Sequence, residues 1–470
     1  MIIVTRSLSV SDYGTWGLIN GLLIFPILLE PIISYWAVRE IARGDNSGKT
    51  AFFSSSMFTL LGIIVYFLAV IMVTSQTDVD ENILILSIIL VPVIFLNKTL
   101  REINSVWKPE GTAYGIVILS ISQLVLGVIL VYSGTLELSS VILIVFVSYI
   151  IANIFLAIFA KEKLKGKFMI QNLKKWLKKS WLPTYPAISL TIERSDIVIF
   201  SMITNSLTGL GFWTAMMVIG HVIGNAALMS RGLYGKILGG GSDQVFQKNI
   251  LHVCYFLFPI TIMLMIFARP LLFLLNPVYE VVFSTAVIIF FGFIFHTLTG
   301  VFWVALLGRE NVDVGENKKT IDYVKSKLFS YPTLRIVQFG GYVIVLSIVL
   351  FLAVLNDLDE GEILFLWAII FTLSQIPLCL YFFLHVRKIF NFKVTKNIFY
   401  YLITSLVSFV PIHFVMEEFL TYNENLFEFA PIVLFYMVCG VGIYLCITTV
   451  TDKETKSLFK EVINELRGRN

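Results

Sequence analysis

The sequence predicts an all-α protein that crosses a membrane many times, and three observations support this. The chain has 470 residues, of which 57% are hydrophobic and only 14% charged, whereas soluble domains are about 25% charged. Its apolar residues gather in segments of about 20 residues, the length that a helix needs to span a bilayer. Its lysines and arginines lie almost entirely between alternate segments. No sizeable soluble domain is therefore expected.

Thirteen apolar segments are long enough to cross a bilayer. Each is expected to be an α-helix, because backbone polar groups in hydrocarbon must be hydrogen-bonded within their own segment. The segments lie near residues 14–36, 51–73, 83–97, 114–133, 140–160, 182–203, 211–230, 249–268, 281–307, 335–355, 363–385, 398–416 and 429–450.

The positive charges orient this bundle. Of the 35 lysines and arginines, only Arg6 and Arg269 fall on one predicted side and Arg194 falls inside a span. All the others share a side with the C-terminal tail, which the positive-inside rule places in the cytoplasm. We therefore predict a multi-pass membrane protein with a cytoplasmic C-terminus. The net charge of +4 follows from this asymmetry, and no nucleic-acid partner is expected.

The predicted orientation also suggests how the chain is divided. With thirteen spans and an internal C-terminus, residue 1 lies outside, so the run MIIV is interpreted as the end of a truncated first helix of a fourteen-helix parent. We predict an N-terminal lobe (1–160), a basic cytoplasmic linker (161–181), a C-terminal lobe (182–385), and two additional helices with a tail (386–470). The linker is also typical of an amphipathic segment on anionic headgroups.

A short internal repeat favours two related lobes of six helices. Gly14-Thr15-Trp16 and Gly211-Phe212-Trp213 both open a helix after a short external turn. Duplicated bundles around a central cavity are typical of transporters.

Several other kinds of chemistry are not predicted. The four cysteines lie in apolar runs without the spacing of a metal site, so they are interpreted as packing residues. The segment RGDNSGKT lacks the first glycine of a phosphate-binding loop, where Arg43 stands, and no strand precedes it. We expect no cofactor and no metal.

The densest group of charges inside a span is Glu193, Arg194 and Asp196. Helical spacing places Ser189, Glu193 and Asp196 on one face and turns Arg194 to the side. Because a charge in hydrocarbon costs about 2.5–3.5 kcal/mol on insertion scales, these residues should have a partner or face a wet cavity. They form either a self-satisfied ion cluster or a cavity wall, in which Arg194 binds an anion and a carboxylate takes H⁺ or Na⁺.

A second intramembrane carboxylate, Glu30, lies between Pro26 and Pro31. Each proline removes a backbone donor, so this pattern predicts a broken helix. Glu30 is either an ion-coupling residue or a hydrogen-bonding residue at a kink.

The predicted eighth helix of the parent carries polar residues beside a small-residue face. Gly220 and Gly224 are spaced for close helix packing, and His221 and Asn225 lie one turn apart next to them. His221 and Asn225 are candidate substrate ligands. His221, like His296, could equally be a structural hydrogen-bonding residue.

Two arginines mark the cytoplasmic ends of the predicted second and eighth helices, Arg39 in AVREIA and Arg231 in MSRGLYGK. Topology alone explains basic residues there. If both lobes line one cavity, Arg39 and Arg231 would flank its inner mouth, where a diphosphate headgroup would first meet the protein.

Taken in order, these motifs resemble the Wzx-type polysaccharide flippases of the multidrug/oligosaccharidyl-lipid/polysaccharide export superfamily. TRSLSVSDYGTWGL is similar to the family's Arg-x-Leu-x-x-x-x-Tyr-Gly turn, and AVREIA to its Val-Arg-Glu signature. LPTYPAISLTIERSDIVIF and LTGLGFWTAMMVIG resemble its seventh and eighth helices, with Asp196 at the usual aspartate and Trp213 in place of a tyrosine. ARPLLFLLNPVYEVVFSTAVIIFF resembles the segment between its ninth and tenth helices.

The resemblance implies two six-helix lobes, alternating access, and export of a polyprenyl-(pyro)phosphate-linked oligosaccharide to the outer leaflet. It also implies partners: the lipid-linked oligosaccharide, membrane lipid, a coupling H⁺ or Na⁺, and other polysaccharide-assembly membrane proteins. A cation-coupled multidrug exporter on the same scaffold is the main alternative. A membrane glycosyltransferase is a second alternative, but none of the loops is long enough to fold around a sugar donor.

Overall fold

The computed structural model describes residues 2–134, 137–230, 233, 237, 243–309, 324–391, 396–452 and 455–456, and within them the side chains of all but residues 2–4 and 133. Every regular element in these ranges is helical, which confirms the predicted all-α class. The helices are α1 (Ile2–Ser7), α2 (Val10–Ile27), α3 (Pro31–Ala42), α4 (Gly48–Thr74), α5 (Glu81–Leu86), α6 (Leu90–Trp107), α7 (Pro109–Ser133), α8 (Leu138–Phe159), α9 (Lys161–Leu164), α10 (Ile170–Lys178), α11 (Trp181–Thr204), α12 (Leu207–Gly224), α13 (Asp243–Ile266), α14 (Ala268–Leu275), α15 (Phe283–Gly308), α16 (Lys327–Leu355), α17 (Glu360–Ile389), α18 (Lys396–Phe419) and α19 (Leu426–Thr451).

Local signals in the sequence set many of these boundaries. Ser9 caps α2, its hydroxyl accepting a hydrogen bond from the Asp12 backbone N–H at 3.1 Å. Asn425 caps α19 in the same way through the Phe427 N–H at 3.1 Å. Such side chains satisfy backbone donors that the first turn leaves without a helical acceptor. Gly134 ends α7 with a left-handed backbone (φ 69°), a conformation that glycine adopts without strain.

Eleven of the described helices are long and apolar enough to cross a membrane, or twelve if α2 and α3 form one bent span. The remaining predicted span is α11, whose 24 residues would cover about 36 Å. It includes Glu193, Arg194 and Asp196, so its composition is less apolar than that of the others. The thirteen predicted segments are therefore all helical, and one of them is unusually polar.

The outward-facing apolar surface shows that lipid surrounds these helices. In α7, only 11% of the most apolar 18-residue stretch is buried inside the protein. On α4, the side chain of Leu60 is 66% exposed. Apolar surface on this scale is not left facing water. The chain is a multi-pass membrane protein.

The residues form two compact units, Met1–Thr214 with Pro332–Ile363, and Ala215–Tyr331 with Leu364–Asn470. The first unit holds a core that includes Ile33, Leu100, Ile103 and Leu156. The second holds a core that includes Phe267, Phe409, Ile412 and Phe429. The predicted lobe boundaries stay a prediction.

Candidate functional site

In the first unit, the chain breaks the apolar segment near residues 14–36 at a buried carboxylate. Helix α2 ends at Ile27 and α3 begins at Pro31, and their axes are bent by 61°. Pro26 occupies the last turn of α2. Glu30 lies at the break and is 2% exposed. The broken helix predicted from the two prolines is confirmed, and it places an ionisable group deep in the first unit.

Hydroxyl groups surround this carboxylate. Ser34 Oγ donates a hydrogen bond to Glu30 Oε2, and Thr99 Oγ1 donates to Glu30 Oε1, both at 3.1 Å. Ser55 Oγ lies 2.8 Å from Thr99 Oγ1 and extends the network onto α4. These four side chains are buried. A carboxylate among hydroxyl oxygens is an arrangement that can hold a proton or a hard cation such as Na⁺.

Helix α11 presents the second acidic group. Ser189, Glu193 and Asp196 are buried and Arg194 is half-buried, in agreement with the face predicted from helical spacing. Asp196 Oδ2 accepts a hydrogen bond from the Tyr342 hydroxyl at 2.8 Å, and Oδ1 accepts one from the Ile197 backbone N–H at 2.8 Å. Asp196 is thus held by a donor from another helix, α16.

A second residue of α16 faces the same group. Arg335 Nη2 lies 3.9 Å from Glu193 Oε2. The charge pattern counts Arg335, at the edge of the predicted span near 335–355, among the basic residues between spans, whereas the structure has it inside a helix. Helix α16 begins at Lys327, eight residues before the predicted span, so Arg335 lies within the helix. The charged group therefore contains two carboxylates and two arginines, contributed by α11 and α16.

The two acidic sites lie on neighbouring helices, because α11 packs against both α2 and α3. The contact is close: a Cβ atom at Gly21 would lie 3.0 Å from Ile197 Cγ2. The helix with the broken segment and the helix with the charged group are thus in direct contact.

The two predicted repeat motifs also meet in the first unit. A Cβ atom at Gly14 of α2 would lie 1.8 Å from the Leu207 carbonyl oxygen, and one at Gly211 of α12 would lie 2.2 Å from the Val10 carbonyl oxygen. No side chain fits at either position without moving a backbone. Each glycine thus allows the start of one helix to lie against the start of the other.

His221, near the end of α12, and Asn225, which follows it, lie in the second unit. His221 and Asn225 are both exposed, and His221 Nδ1 lies 2.5 Å from the Met217 carbonyl oxygen. A Cβ atom at Gly220 would lie 2.6 Å from the Phe293 ring, whereas one at Gly224 would meet no described atom within 4 Å. Close packing at the predicted small-residue face is therefore seen at Gly220, and at Gly224 it stays a prediction.

His296 lies in the same unit, on α15. Its Nδ1 atom is 3.3 Å from Gln375 Oε1, and its ring is 5.9 Å from that of Phe293. These contacts match the structural interpretation of His296.

Arg39 lies at the end of α3, with its guanidinium 4.3 Å from the centre of the Tyr35 ring. Arg231, its predicted counterpart, lies outside the described residues. The next residue, Glu40, holds the linker: it accepts hydrogen bonds from Asn172 Nδ2 and Trp176 Nε1, both at 2.9 Å. Helix α10 of the linker is therefore anchored to α3 through a buried tryptophan.

Sequence reasoning did not find the partners of the acidic groups. Thr99, Ser55 and Tyr342 are ordinary polar residues in apolar segments, and nothing in the sequence pairs them with Glu30 or Asp196. Arg335 could have been found, because it is a charged residue next to an apolar segment. Its position at the edge of that segment makes it resemble a loop residue.

No protein-family model matches the sequence, and no curated protein matches it. The fold is similar to those of solved structures, including the following two. One is described as "Inward-facing conformation of a multidrug resistance MATE family transporter of the MOP superfamily", with a TM-score of 0.61, 12% identity, and coverage of 84% of this chain and 94% of that one. The other is "Lipid II flippase MurJ, inward closed conformation", with a TM-score of 0.64, 13% identity, and coverage of 98% and 97%.

These likenesses define the class: a multi-pass membrane protein with a fold like those of the MATE transporter and MurJ. Because the identities are low, they extend to the fold alone.

Proposed function

We propose that the chain is a transporter of the multidrug/oligosaccharidyl-lipid/polysaccharide superfamily that moves a polyprenyl-(pyro)phosphate-linked oligosaccharide to the outer leaflet by alternating access. The main support is the fold shared with a lipid II flippase over almost the full length of both chains. The Wzx-like motifs of the sequence support the choice of a sugar-bearing lipid. On this proposal the protein is not an enzyme, because its substrate is moved without being changed.

Arginines of the first unit supply the anion-binding groups in this proposal. Arg194 is half-buried on α11, and Arg335 lies beside Glu193 on the adjoining helix. Guanidinium groups bind phosphate oxygens through paired N–H donors. A (pyro)phosphate headgroup would bind at Arg194, while Glu193 holds Arg335 in place. His221 and Asn225 of the second unit are proposed sugar ligands, as exposed polar residues on an apolar helix.

The two buried carboxylates supply the coupling in this proposal. Glu30 with its hydroxyl donors, and Asp196 with Tyr342, can each take up H⁺ or Na⁺ in one state and release it in another. Charged forms are costly at this depth, so ion binding would shift the balance between two arrangements of these helices.

The crossing of α2 and α12 is proposed to open during transport. Both motifs stand at the predicted external ends of their helices, and their glycines permit contact without interlocking side chains. Separation of α2 and α12 at this point would open an outward path.

The proposed orientation has the C-terminus in the cytoplasm of a prokaryotic cell, with Arg39 and Arg231 near the inner entrance. Lysines and arginines outnumber aspartates and glutamates on that side. This excess of positive charge would attract an anionic lipid from the inner leaflet. Other polysaccharide-assembly membrane proteins are proposed partners.

A cation-coupled multidrug exporter is the second candidate. The likeness to a MATE family transporter and the two buried carboxylates favour it. An exporter of organic cations gains from acidic residues but not from Arg194, because a guanidinium repels a cationic drug. Arg194 therefore separates the two candidates.

Substitution of Arg194 tests the proposal. Arg194→Ala should abolish surface polysaccharide in the native host while the protein still inserts, as judged by the amount in purified membranes. Arg194→Lys, which keeps the charge, should retain part of the export. Normal polysaccharide in Arg194→Ala cells would remove Arg194 from the mechanism.

A further inference from the structure

A pocket of 640 Å³ lies in the second unit, away from the groups described above. It is formed where α13 and α18 end and α15 begins, beside α14. Most of its wall is apolar, from residues that include Met265, Phe283, Val287, Met416 and Leu420. Because these residues stand at the ends of apolar helices, the pocket lies at the level where lipid headgroups meet acyl chains.

One arginine lies on the polar side of this pocket. Arg269 Nε donates a hydrogen bond to Glu280 Oε1 at 2.6 Å, and this bond raises the pKa of the guanidinium. The Arg269 side chain is 54% exposed. Since a guanidinium has five N–H donors, Arg269 can bind Glu280 and still donate to a further anion. It is one of only two basic residues that the sequence places on its side of the membrane.

A second carboxylate group lies across the same rim. His413 Nε2 is 3.6 Å from Glu417 Oε1, and the Glu417 side chain is 63% exposed. Arg269 and Glu280 neutralise one another, so Glu417 supplies the acidic group on the other side of the rim. The rim therefore offers one cationic and one anionic group to a ligand.

The aromatic rings of the pocket already have a cation against them. The Arg269 guanidinium carbon lies 5.3 Å from the centre of the Tyr422 ring and 5.9 Å from that of Phe283. Recognition of a quaternary ammonium depends on such ring faces. A primary ammonium depends instead on hydrogen-bond acceptors, which Glu417 supplies.

We propose that this pocket binds the headgroup of a zwitterionic phospholipid with a primary ammonium, the phosphatidylethanolamine class, taken from the surrounding bilayer. Arg269 binds the phosphate, Glu417 binds the ammonium, and the apolar wall holds the upper part of the acyl chains. Charge complementarity supports this occupant. A purely anionic headgroup would face Glu417 without compensation, and a choline headgroup could not donate a hydrogen bond to it.

The test is lipid retention by the purified, delipidated full chain, measured by native mass spectrometry. Phosphatidylethanolamine and phosphatidylcholine with identical acyl chains are titrated separately. Glu417→Gln should weaken phosphatidylethanolamine binding up to about fivefold, the upper end for exposed charge pairs, and weaken phosphatidylcholine binding less, because choline donates no hydrogen bond to the lost carboxylate. Glu417→Lys should shift the preference toward phosphatidylglycerol, because the rim then carries two cationic groups.

The matched control is Glu418→Gln, the neighbouring exposed carboxylate of α18, which does not line the pocket. It should behave as the unmodified protein. Equal retention of the two zwitterionic lipids by the unmodified protein would overturn the proposal. Equal effects of Glu417→Gln and Glu418→Gln would overturn it as well. Neither result depends on what the protein transports.

Discussion

The ion pair between α11 and α16 should contribute to stability, and neutralising one partner should cost more than neutralising both. The change is Arg335→Met, which replaces the aliphatic stem of the arginine with an apolar chain and removes the charge, but leaves Glu193 buried beside it. The two side chains are 27% and 10% exposed, with 3.9 Å between Arg335 Nη2 and Glu193 Oε2. At an effective dielectric constant of about 20, charges at that distance attract by about 4 kcal/mol.

The net effect should be smaller than this attraction. The separation is at the long limit for an ion pair, and the Arg335 side chain is 27% exposed, so we expect a loss of about 2–3 kcal/mol, below the usual range for a broken buried pair. With about 2 °C per kcal/mol for a large domain, the midpoint of thermal unfolding should fall by about 4–6 °C.

The assay is intrinsic fluorescence of the protein in nanodiscs, heated at one fixed scan rate because unfolding of such a chain is irreversible. Glu193→Gln should destabilise in the same direction as Arg335→Met. The double variant should unfold above either single variant, because no buried charge is left without its partner. A double variant whose midpoint falls by the sum of the two single shifts would refute the pairing.

Three further substitutions test other contacts. Thr99→Val removes a hydroxyl that donates to Glu30, a hydrogen bond of about 1.5–3 kcal/mol if the carboxylate is charged, and should change how transport depends on pH or on a Na⁺ gradient. Gly14→Val places a side chain where α2 and α12 touch and should stop their close approach, which cysteine cross-linking of the two helix starts would detect as lost cross-links. Glu40→Ala removes the acceptor of Trp176, so α10 should detach more often and trypsin should cut the linker faster in inside-out vesicles.

Each of these changes has a control on a comparable residue. Thr74→Val removes a hydroxyl that bonds only backbone carbonyls of its own helix and should leave coupling unchanged. Gly442→Val adds a side chain where no atom lies within 4 Å and should leave cross-linking intact. Asp45→Ala removes an exposed carboxylate near the linker and should leave cleavage at its original rate. Equal effects of a variant and its control would contradict the assigned contact.

Much of the fold could be predicted from the sequence because lipid imposes one simple pattern on it. Apolar length determines the helices, and Pro26 and Pro31 located the break at Glu30. Helix ends were less accurate. The apolar signal of α16 begins near residue 335, but the helix begins at Lys327. The sequence places the start too late because the first turns of α16 are polar enough to resemble a loop.

The candidate site could be predicted only in part, for a physical reason. An intramembrane carboxylate is conspicuous because its burial is costly, so Glu30, Glu193 and Asp196 stand out in the sequence. The groups that make burial tolerable, such as Thr99 for Glu30 and Tyr342 for Asp196, are weakly polar and cost little to insert. They become recognisable only when the fold brings distant segments together.

The central claim concerns the transported molecule, and reconstitution tests it most directly. The purified protein is placed in liposomes with a fluorescent polyprenyl-diphosphate oligosaccharide, and a membrane-impermeant quencher reports how much label faces outward. If the protein flips this lipid, label that is protected from the quencher should reach the outer leaflet in liposomes with the unmodified protein. The same exchange should be much slower in liposomes with Arg194→Ala. An exchange rate equal to that of empty liposomes, together with ion-driven uptake of a cationic dye by the same vesicles, would contradict the flippase account and favour the multidrug exporter.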